Sequence, residues 1–260
     1  SGLLTVAYVL IGGLWATVLT DVIQFFIPLV MSLVVLMVAL STVGGWSGLW
    51  EKLPAERGDM FNPEAGISIE FWLVYVVVII FSYNGGTWGL AQRFVSVDEP
   101  RDAQKAATLS GILYLFYPLA IFIPAWAAPF ILPESFDPRT LKPLEGFNLE
   151  HTYIAVTQKV LSGMAPGLIG LFVCSMFAAT MSMIDSDINA LAAVFTKDIY
   201  QRNFNRAIGD KALFKVGMIP TVTFGLLVIV SAVLIAQSDG AEKVFNYTVK
   251  LFGGLLPPIA

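Results

Sequence analysis

Long apolar stretches alternate with shorter polar ones along this chain, and the alternation predicts a bundle of membrane-spanning helices. A helix needs about 20 apolar residues to cross a bilayer. Five stretches reach that length, at residues 14–40, 67–91, 107–132, 160–196 and 212–237. Two further apolar stretches read as parts of spans, at residues 3–11, which break at Gly12-Gly13, and at residues 244–260. We therefore expect an all-α, polytopic membrane protein.

The polar stretches predict the connections between these spans. Residues 41–66 read as a loop with tryptophans at the membrane interface, a common position for that side chain. Residues 150–162 suit a short surface helix. Both ends of the chain lie in or beside apolar segments, so we expect an internal fragment with helices missing on either side.

One predicted span carries a cluster of helix-weakening residues at its end. The span 67–91 closes with Ser82-Tyr83-Asn84-Gly85-Gly86-Thr87-Trp88-Gly89. Each glycine weakens a helix by about 1 kcal/mol relative to alanine. In a membrane, a broken helix is tolerated where its freed backbone groups are buried in protein or line a watery cavity. Close packing of helices through small residues is the other interpretation.

The cations give the spans an orientation. Linkers 92–106 and 197–215 hold three and five Lys or Arg residues, whereas acids outnumber cations in loops 41–66 and 133–158. Excess Lys and Arg marks the cytoplasmic side. The two basic linkers are therefore predicted to face the cytoplasm, and the spans between them alternate consistently.

Composition excludes several classes of function. The chain is 57% hydrophobic and 13% charged, against about 25% charged in soluble domains. The net charge is −4, and no basic stripe runs along the chain, so we expect no nucleic-acid partner. The expected partner is the lipid bilayer. A single Cys and a single His offer no intrachain disulfide and no Cys- or His-based metal site.

The clearest mark of function is an acid deep inside the span 160–196. Residues 161–184 carry no charge, and Asp185 precedes the first cation, Lys197, by twelve residues. At about 1.5 Å per residue, its carboxylate lies roughly 15 Å or more from that end. A carboxylate at such depth costs several kcal/mol unless it meets a cation, a partner or water.

Hydroxyl groups accompany this acid. Ala179, Ser182, Met183 and Ser186 follow the i, i+3, i+4, i+7 spacing of one helix face. Hydroxyl, carboxylate and carbonyl oxygens are hard ligands that suit a small cation. Serine hydroxyls also commonly bond back to their own helix, and that alternative stays open.

Asp21, in the span 14–40, is a second intramembrane acid at a similar predicted depth. It could share a cation or a proton with Asp185, or be a hydrogen-bonded acid at a helix start after Thr20. Asp187 lies two positions past Asp185 and is predicted to point elsewhere. An acid–base dyad of a membrane enzyme is a further alternative, but the other motifs do not support it, and we expect no enzyme.

Three motifs now resemble one known family, the sodium:solute symporters. The stretch GGLWATVLTDVIQ at residues 12–24 is similar to the family's GGL-x-A-V-x-x-T-D-x-x-Q sequence. Gln92-Arg93 followed by AQKA at residues 103–106 resembles its cytoplasmic QR…A-x-K-A motif. The third motif, similar to a long helix signature of the family, comprises PGL at 166–168, AATMS at 178–182, Asn189 and DIY at 198–200.

The resemblance implies part of a five-helix inverted-repeat, LeuT-like transporter fold with broken helices at the membrane midplane. Residues 1–260 would form a single transmembrane domain fragment, from the end of core helix 4 into part of core helix 10. The family's main sodium site would use Ala179, Ser182 and Met183 with carbonyls of core helix 1, which precedes this fragment. A second sodium site would use Ser182, Asp185, Ser186 and Asp21.

Two residues depart from the family pattern. Met183 stands where a Ser or Thr is usual, and a thioether is a poor sodium ligand. Asp185 stands where members with the second site have a hydroxyl. The carboxylate could be a stronger cation ligand, or it could replace sodium through a proton or a fixed charge, and both interpretations stay open.

We therefore predict a cation-coupled, most simply sodium-coupled, secondary transporter that imports a small polar solute by alternating access. We expect sodium as the coupling ion and no other cofactor. The substrate is predicted to contact the broken end of the span 67–91, at Tyr83, Asn84, Gly85, Gly86 and Trp88. We expect the protein to be located in the plasma membrane, which in a bacterium is the inner membrane. The alternatives are a sodium-independent transporter and a transporter-like sensor module of a signalling protein.

Overall fold

The computed structural model of this chain describes residues 2–54, 61–62, 67–84 and 97–237, with the backbone alone for residues 78–84 and 236. Most of these residues are helical. The helices are α1 (Gly2–Val43), α2 (Gly45–Lys52), α3 (Ile69–Asn84), α4 (Pro100–Trp126), α5 (Ala128–Ile131), α6 (Thr152–Leu161), α7 (Leu168–Val194) and α8 (Asp210–Gln237). Within the described ranges, β pairing is limited to two isolated bridges. The prediction of an all-α protein is confirmed.

In the part of the chain that the structure describes, four helices are long and apolar enough to cross a membrane. They are Gly2–Val43, Pro100–Trp126, Asp210–Ile235 and Leu168–Gln201, the last of which includes a π-helical end at Phe195–Gln201. They confirm the predicted spans at 14–40, 107–132, 212–237 and 160–196, with shifted ends. The described part of the fifth predicted span is α3, of sixteen residues.

Two of the shifted ends have a local cause. Helix α4 begins at Pro100 rather than at 107, because proline suits the first turn of a helix and Asp102 complements the positive end of the helix dipole. Helix α7 begins at Leu168 rather than at 160. Gly163 and Gly167 there have φ of 87° and 92°, so the chain turns between α6 and α7.

The prediction that residues 41–66 are a plain loop is wrong at its start, where α2 forms. Trp46 and Trp50 are four residues apart on this helix, and their rings lie 5.6 Å apart between centroids. Lys52 Nζ donates a 2.8 Å hydrogen bond to the carbonyl of Val43, at the end of α1. A buried Leu49 completes the inner side of α2, so the helix packs instead of remaining a solvated loop.

The chain divides into two compact units. One unit comprises residues 1–21, 61–97 and 180–260, and the other comprises residues 22–60 and 98–179. The core of the second unit is formed by α1, α2, α4, α5 and α6, and includes Val43, Leu49, Ala127 and Val156. In the first unit, Val6 and Val9 of α1 pack against Ile188 of α7.

Candidate functional site

Helix α1 is interrupted at one residue, Gly13. Its φ of 52° and ψ of −137° are not helical, and residues with a side chain rarely adopt that combination. The break predicted at Gly12-Gly13 is therefore confirmed, at the second glycine. We call residues 2–12 the first arm and residues 14–21 the second arm.

The two arms make polar contacts with neighbouring residues of α7. On the first arm, the hydroxyl of Tyr8 donates a 2.5 Å hydrogen bond to Oδ2 of Asp185. On the second arm, Oδ1 of Asp21 accepts a hydrogen bond from the hydroxyl of Ser182. Both contacts join residues distant in sequence, and both pair a hydroxyl with a carboxylate inside predicted spans.

The order of these contacts shows that the chain folds back at Gly13. Along the first arm, Tyr8 meets Asp185, and Gly13 at its end lines a cavity with Asn189 and Thr196, so the arm runs toward the end of α7. The second arm then returns to Ser182, one turn before Asp185. A helix continuing straight through Gly13 would have carried its later residues farther along α7.

Asp185 is the most completely buried acid of the described residues, with 0% of its surface exposed. Its two oxygens have different donors. Oδ2 accepts from Tyr8, and Oδ1 accepts a 3.1 Å bond from the hydroxyl of Ser186. Burial of a charge is costly unless it is paired and hydrogen-bonded, so these hydroxyls offset part of the cost.

Asp21 and Ser182 form the second pair. Asp21 lies eight residues past the turn at Gly13, inside α1, so it is not an acid at a helix start. The preceding hydroxyl, that of Thr20, donates to the carbonyl of Ala16 at 2.8 Å. Ser182 likewise does not bond back to its own helix, because its proton is directed at Asp21.

Ser186 shows both behaviours that the sequence left open. Its hydroxyl shares one proton between the carbonyl of Ser182 at 2.8 Å, as serines in membrane helices commonly do, and Oδ1 of Asp185 at 3.1 Å. Ser186 is 8% exposed. The structure therefore brings Asp21, Ser182, Asp185 and Ser186 together between the arms of α1 and helix α7.

Ala179 and Met183 occupy a different part of α7. Met183 is 71% exposed and Ala179 is also exposed within this chain. Consecutive helix residues are rotated by about 100°, which turns Met183 well away from the buried side of Ser182. Asp187 is also exposed, in agreement with the prediction that it points away from Asp185.

The predicted substrate residues lie largely outside the described residues. Tyr83 and Asn84 are the last residues of α3, described by backbone alone. Gly85, Gly86 and Trp88 fall outside the described ranges. Their role stays a prediction.

Tyr8 was missed by the sequence reasoning. The first arm reads only as the apolar tail of a span, and the partner of Tyr8 is 177 positions away. One signal was present, because a tyrosine hydroxyl in an apolar run needs a hydrogen-bond partner when it is buried.

A cavity of about 290 Å³ begins beyond this cluster, at the turn of α1 and the ends of α7 and α8. Asn189, four residues after Asp185, lines the cavity together with Gly13, Thr196 and the charged residues Lys197 and Asp210. The amide nitrogen of Asn189 is buried and has no hydrogen-bond acceptor among the described residues.

The donor set defines what ions could fit. Across the described residues, no group of three or more His, Cys, Asp or Glu side chains is arranged to hold a metal ion. The cluster instead offers two carboxylates with two serine hydroxyls. Such oxygen ligands suit a hard cation, not a transition metal.

Comparison with known proteins places these features in context. The chain is 27% identical to the sodium/sialic acid symporter NanT of Aliivibrio fischeri over 97% of this chain and 50% of that protein. It is also 27% identical to sodium/glucose cotransporter 4 of Danio rerio, over 98% of this chain and 42% of that protein. The chain spans about half the length of these relatives.

A solved structure supports the fold. The structure of a Na⁺-coupled sialic acid symporter in a substrate-bound outward-open state is similar to this one, with a TM-score of 0.77 and 22% sequence identity. The match covers 98% of this chain and 52% of the symporter chain. The predicted inverted-repeat transporter fold is thereby confirmed. The profile of the Sodium:solute symporter family matches residues 1–260. This chain belongs to the sodium:solute symporter family.

Proposed function

We propose that this chain is the part of a sodium-coupled symporter that carries the coupling-ion site, and that the whole protein imports a small polar solute by alternating access. The similar proteins named above are sodium symporters for sialic acid or glucose. We further propose that residues 1–260 form one transmembrane fragment, from core helix 4 into core helix 10, in the inner membrane of a bacterium.

The single observation that carries this proposal is the cluster of oxygen atoms between α1 and α7. Asp21 on α1 and Asp185 on α7 each accept a hydrogen bond from a hydroxyl on the opposing helix. Acids inside membrane spans are costly and usually mark ion pathways. A sodium ion near these carboxylates would compensate their charge and gain hard oxygen ligands.

The orientation of Ser182 supports a role as a ligand. A serine hydroxyl has one proton and two lone pairs. Because Ser182 directs its proton at Asp21, its lone pairs point elsewhere and can accept a cation. Asp21 thus orients the hydroxyl of Ser182 and also offers its own carboxylate to the same ion.

Ala179 and Met183 are proposed to lie at the main sodium site, on the face of α7 that would meet core helix 1. They are exposed on α7, and the family resemblance places core helix 1 against this face. That helix would supply the carbonyl ligands of the main sodium site. Because the thioether of Met183 binds sodium weakly, we propose that the ion is held mainly by Ser182, Asp185, Ser186 and Asp21.

The cavity next to the cluster offers a route for the ion. It starts at Asn189, one helical turn beyond Asp185, and extends to Lys197 and Asp210 at the ends of their helices. The basic linker 197–215 predicts that this end faces the cytoplasm. We propose that the ion leaves inward past Asp21 and Ser186, while Tyr83, Asn84, Gly85, Gly86 and Trp88 line the solute site.

The test uses the full-length protein reconstituted in vesicles. Uptake of labelled sialic acid and glucose is measured with a sodium gradient and with choline in its place. We expect sodium to drive uptake of one solute, and Asp185→Asn or Asp21→Asn to weaken the apparent affinity for sodium by about tenfold or more.

Ser175→Ala is the matched control, because the buried hydroxyl of Ser175 donates to the carbonyl of Phe172 in its own helix, at 2.6 Å. Sodium-dependent uptake that is unchanged in both aspartate variants would contradict the cation assignment. Uptake driven by a proton gradient without sodium would favour the sodium-independent alternative.

A further inference from the structure

Tyr8 is a polar residue of the cluster that the family resemblance does not assign. It lies on the first arm of α1, partly buried, with its ring packed against the apolar group of Val6, Val9 and Ile188. Its hydroxyl donates a 2.5 Å hydrogen bond to Oδ2 of Asp185. The ring is therefore held by packing, and the hydroxyl is held at the carboxylate.

The two carboxylate oxygens of Asp185 therefore have different partners. Oδ2 faces Tyr8 on the first arm, whereas Oδ1 faces the hydroxyl of Ser186 on its own helix. Ser186 in turn reaches the carbonyl of Ser182. The hydrogen bond from Tyr8 thus fixes the rotation of the carboxylate and keeps Oδ1 on the side of the two serines.

We propose that Tyr8 is a positioning residue of the sodium site, which sets sodium affinity by holding the carboxylate of Asp185 with Oδ1 toward Ser182 and Ser186. This inference rests on the proposed function, because it takes Asp185 as a ligand of the coupling ion. Tyr8 does not touch the ion. It acts through Asp185.

Loss of the hydroxyl has a defined consequence. Without the Tyr8 hydroxyl, Oδ2 of a fully buried carboxylate loses a hydrogen-bond donor. Such a group turns toward other donors. One such donor is the hydroxyl of Ser186, which already meets Oδ1. Removal of an outer partner of a metal ligand commonly weakens metal binding 10- to 100-fold.

Sodium binding to purified full-length protein tests this inference directly. Equilibrium binding of ²²Na⁺ is measured for the wild type and for Tyr8→Phe, which keeps the packed ring and removes only the hydroxyl. We expect Tyr8→Phe to bind sodium about tenfold more weakly. Thermal unfolding of the same samples verifies that the variant is folded.

Tyr117→Phe is the matched control. The hydroxyl of Tyr117 lies 3.3 Å from that of Ser32, in the other compact unit. Tyr117→Phe also removes a tyrosine hydroxyl, but this hydroxyl meets a serine instead of an acid. We expect sodium affinity to be unchanged in this variant.

A double-mutant cycle separates positioning from packing. In an Asp185→Ser background the side chain is too short to meet Tyr8, so adding Tyr8→Phe should change sodium affinity by less than about twofold. An equal loss in both backgrounds overturns the inference, since Tyr8 then acts without Asp185. Unchanged or tighter sodium binding in Tyr8→Phe also overturns it.

The outcomes distinguish this inference from the proposed function. If the wild type binds no sodium, both are overturned. If Asp21→Asn and Asp185→Asn weaken sodium binding while Tyr8→Phe does not, the proposed function stands and only the role of Tyr8 is overturned.

Discussion

Ser182 on α7 donates its hydroxyl proton to Asp21 on α1, across 161 positions of sequence. This hydrogen bond ties the second arm of α1 to α7 and turns the lone pairs of Ser182 away from Asp21. One contact therefore contributes both to the packing of two helices and to the geometry of the proposed ion site.

Replacement of Ser182 by alanine tests this double role. Ser182→Ala leaves Asp21 with one donor fewer in a partly buried site, so we expect a loss of about 1–3 kcal/mol in the free energy of unfolding. Thermal unfolding in detergent measures it. Ser175→Ala, which removes a hydroxyl bonded within its own helix, should cost less. Equal losses in the two variants would contradict a special role for the contact with Asp21.

Gly13→Ala tests the turn of α1. The backbone of Gly13 lies at φ 52° and ψ −137°, and a Cβ there would meet no atom of the described residues within 4 Å, so backbone strain is the expected penalty. Such strain costs about 1–3 kcal/mol. Gly111 is expected to respond in the opposite way, because it lies inside α4 and its Cβ would likewise meet no described residue within 4 Å.

Gly111→Ala should therefore raise helix stability by about 0.5–1 kcal/mol. Unfolding of the two variants, measured side by side, checks the opposite signs. If Gly13→Ala were neutral, the turn would not depend on glycine.

Gly225→Ala tests the packing of the first arm against α8. A Cβ at Gly225 would collide with the side chain of Val6, which is only 8% exposed. Overpacking of this kind costs about 1–3 kcal/mol. The added variant Val6→Ala makes room for the methyl group, so the double variant should be less destabilised than the sum of the two single changes. Additive losses in thermal unfolding would argue against this contact.

The loop after α5 gives a pH-dependent prediction outside the membrane. The backbone N–H of Thr140, and then that of Arg139, hold the pKa of Asp137 below its ordinary value of 3.8. A lowered pKa means that the ionised form supports the folded loop above that value, and that the support is lost as pH falls through the folded pKa.

Amide hydrogen exchange checks this prediction. Asp137→Asn should speed the exchange of the Arg139 and Thr140 amides at neutral pH, and the difference from the wild type should shrink below pH 3.8. Glu145→Gln, in the same loop, serves as the control. A difference that persists unchanged at low pH would contradict the role of the ionised carboxylate.

Much of the fold could be predicted from the sequence, because hydropathy alone determines which segments enter a membrane. The break at Gly13 was also predictable, since two adjacent glycines interrupt an apolar run. Helix α2 was not predicted, because its polar and tryptophan-rich composition resembles an interfacial loop and its order depends on contacts with Val43 and Trp126.

The candidate site was only partly predictable. Local spacing placed Ser182 and Ser186 on one helix face and identified Asp185 as costly. It also grouped Met183 with them, although the structure leaves Met183 exposed within this chain. Tyr8 could not be predicted, because its pairing depends on how the chain folds back at Gly13, and no local pattern records that reversal.

The reversal at Gly13 also limits how the length of this segment can change. Tyr8 and Asp21 are thirteen residues apart, yet their partners Asp185 and Ser182 are only three apart on α7. Insertion or deletion of one residue in either arm would rotate the following side chains by about 100°. The hydroxyl or the carboxylate would then leave its partner, so related proteins that keep this cluster should vary in residue type along the two arms but not in their length.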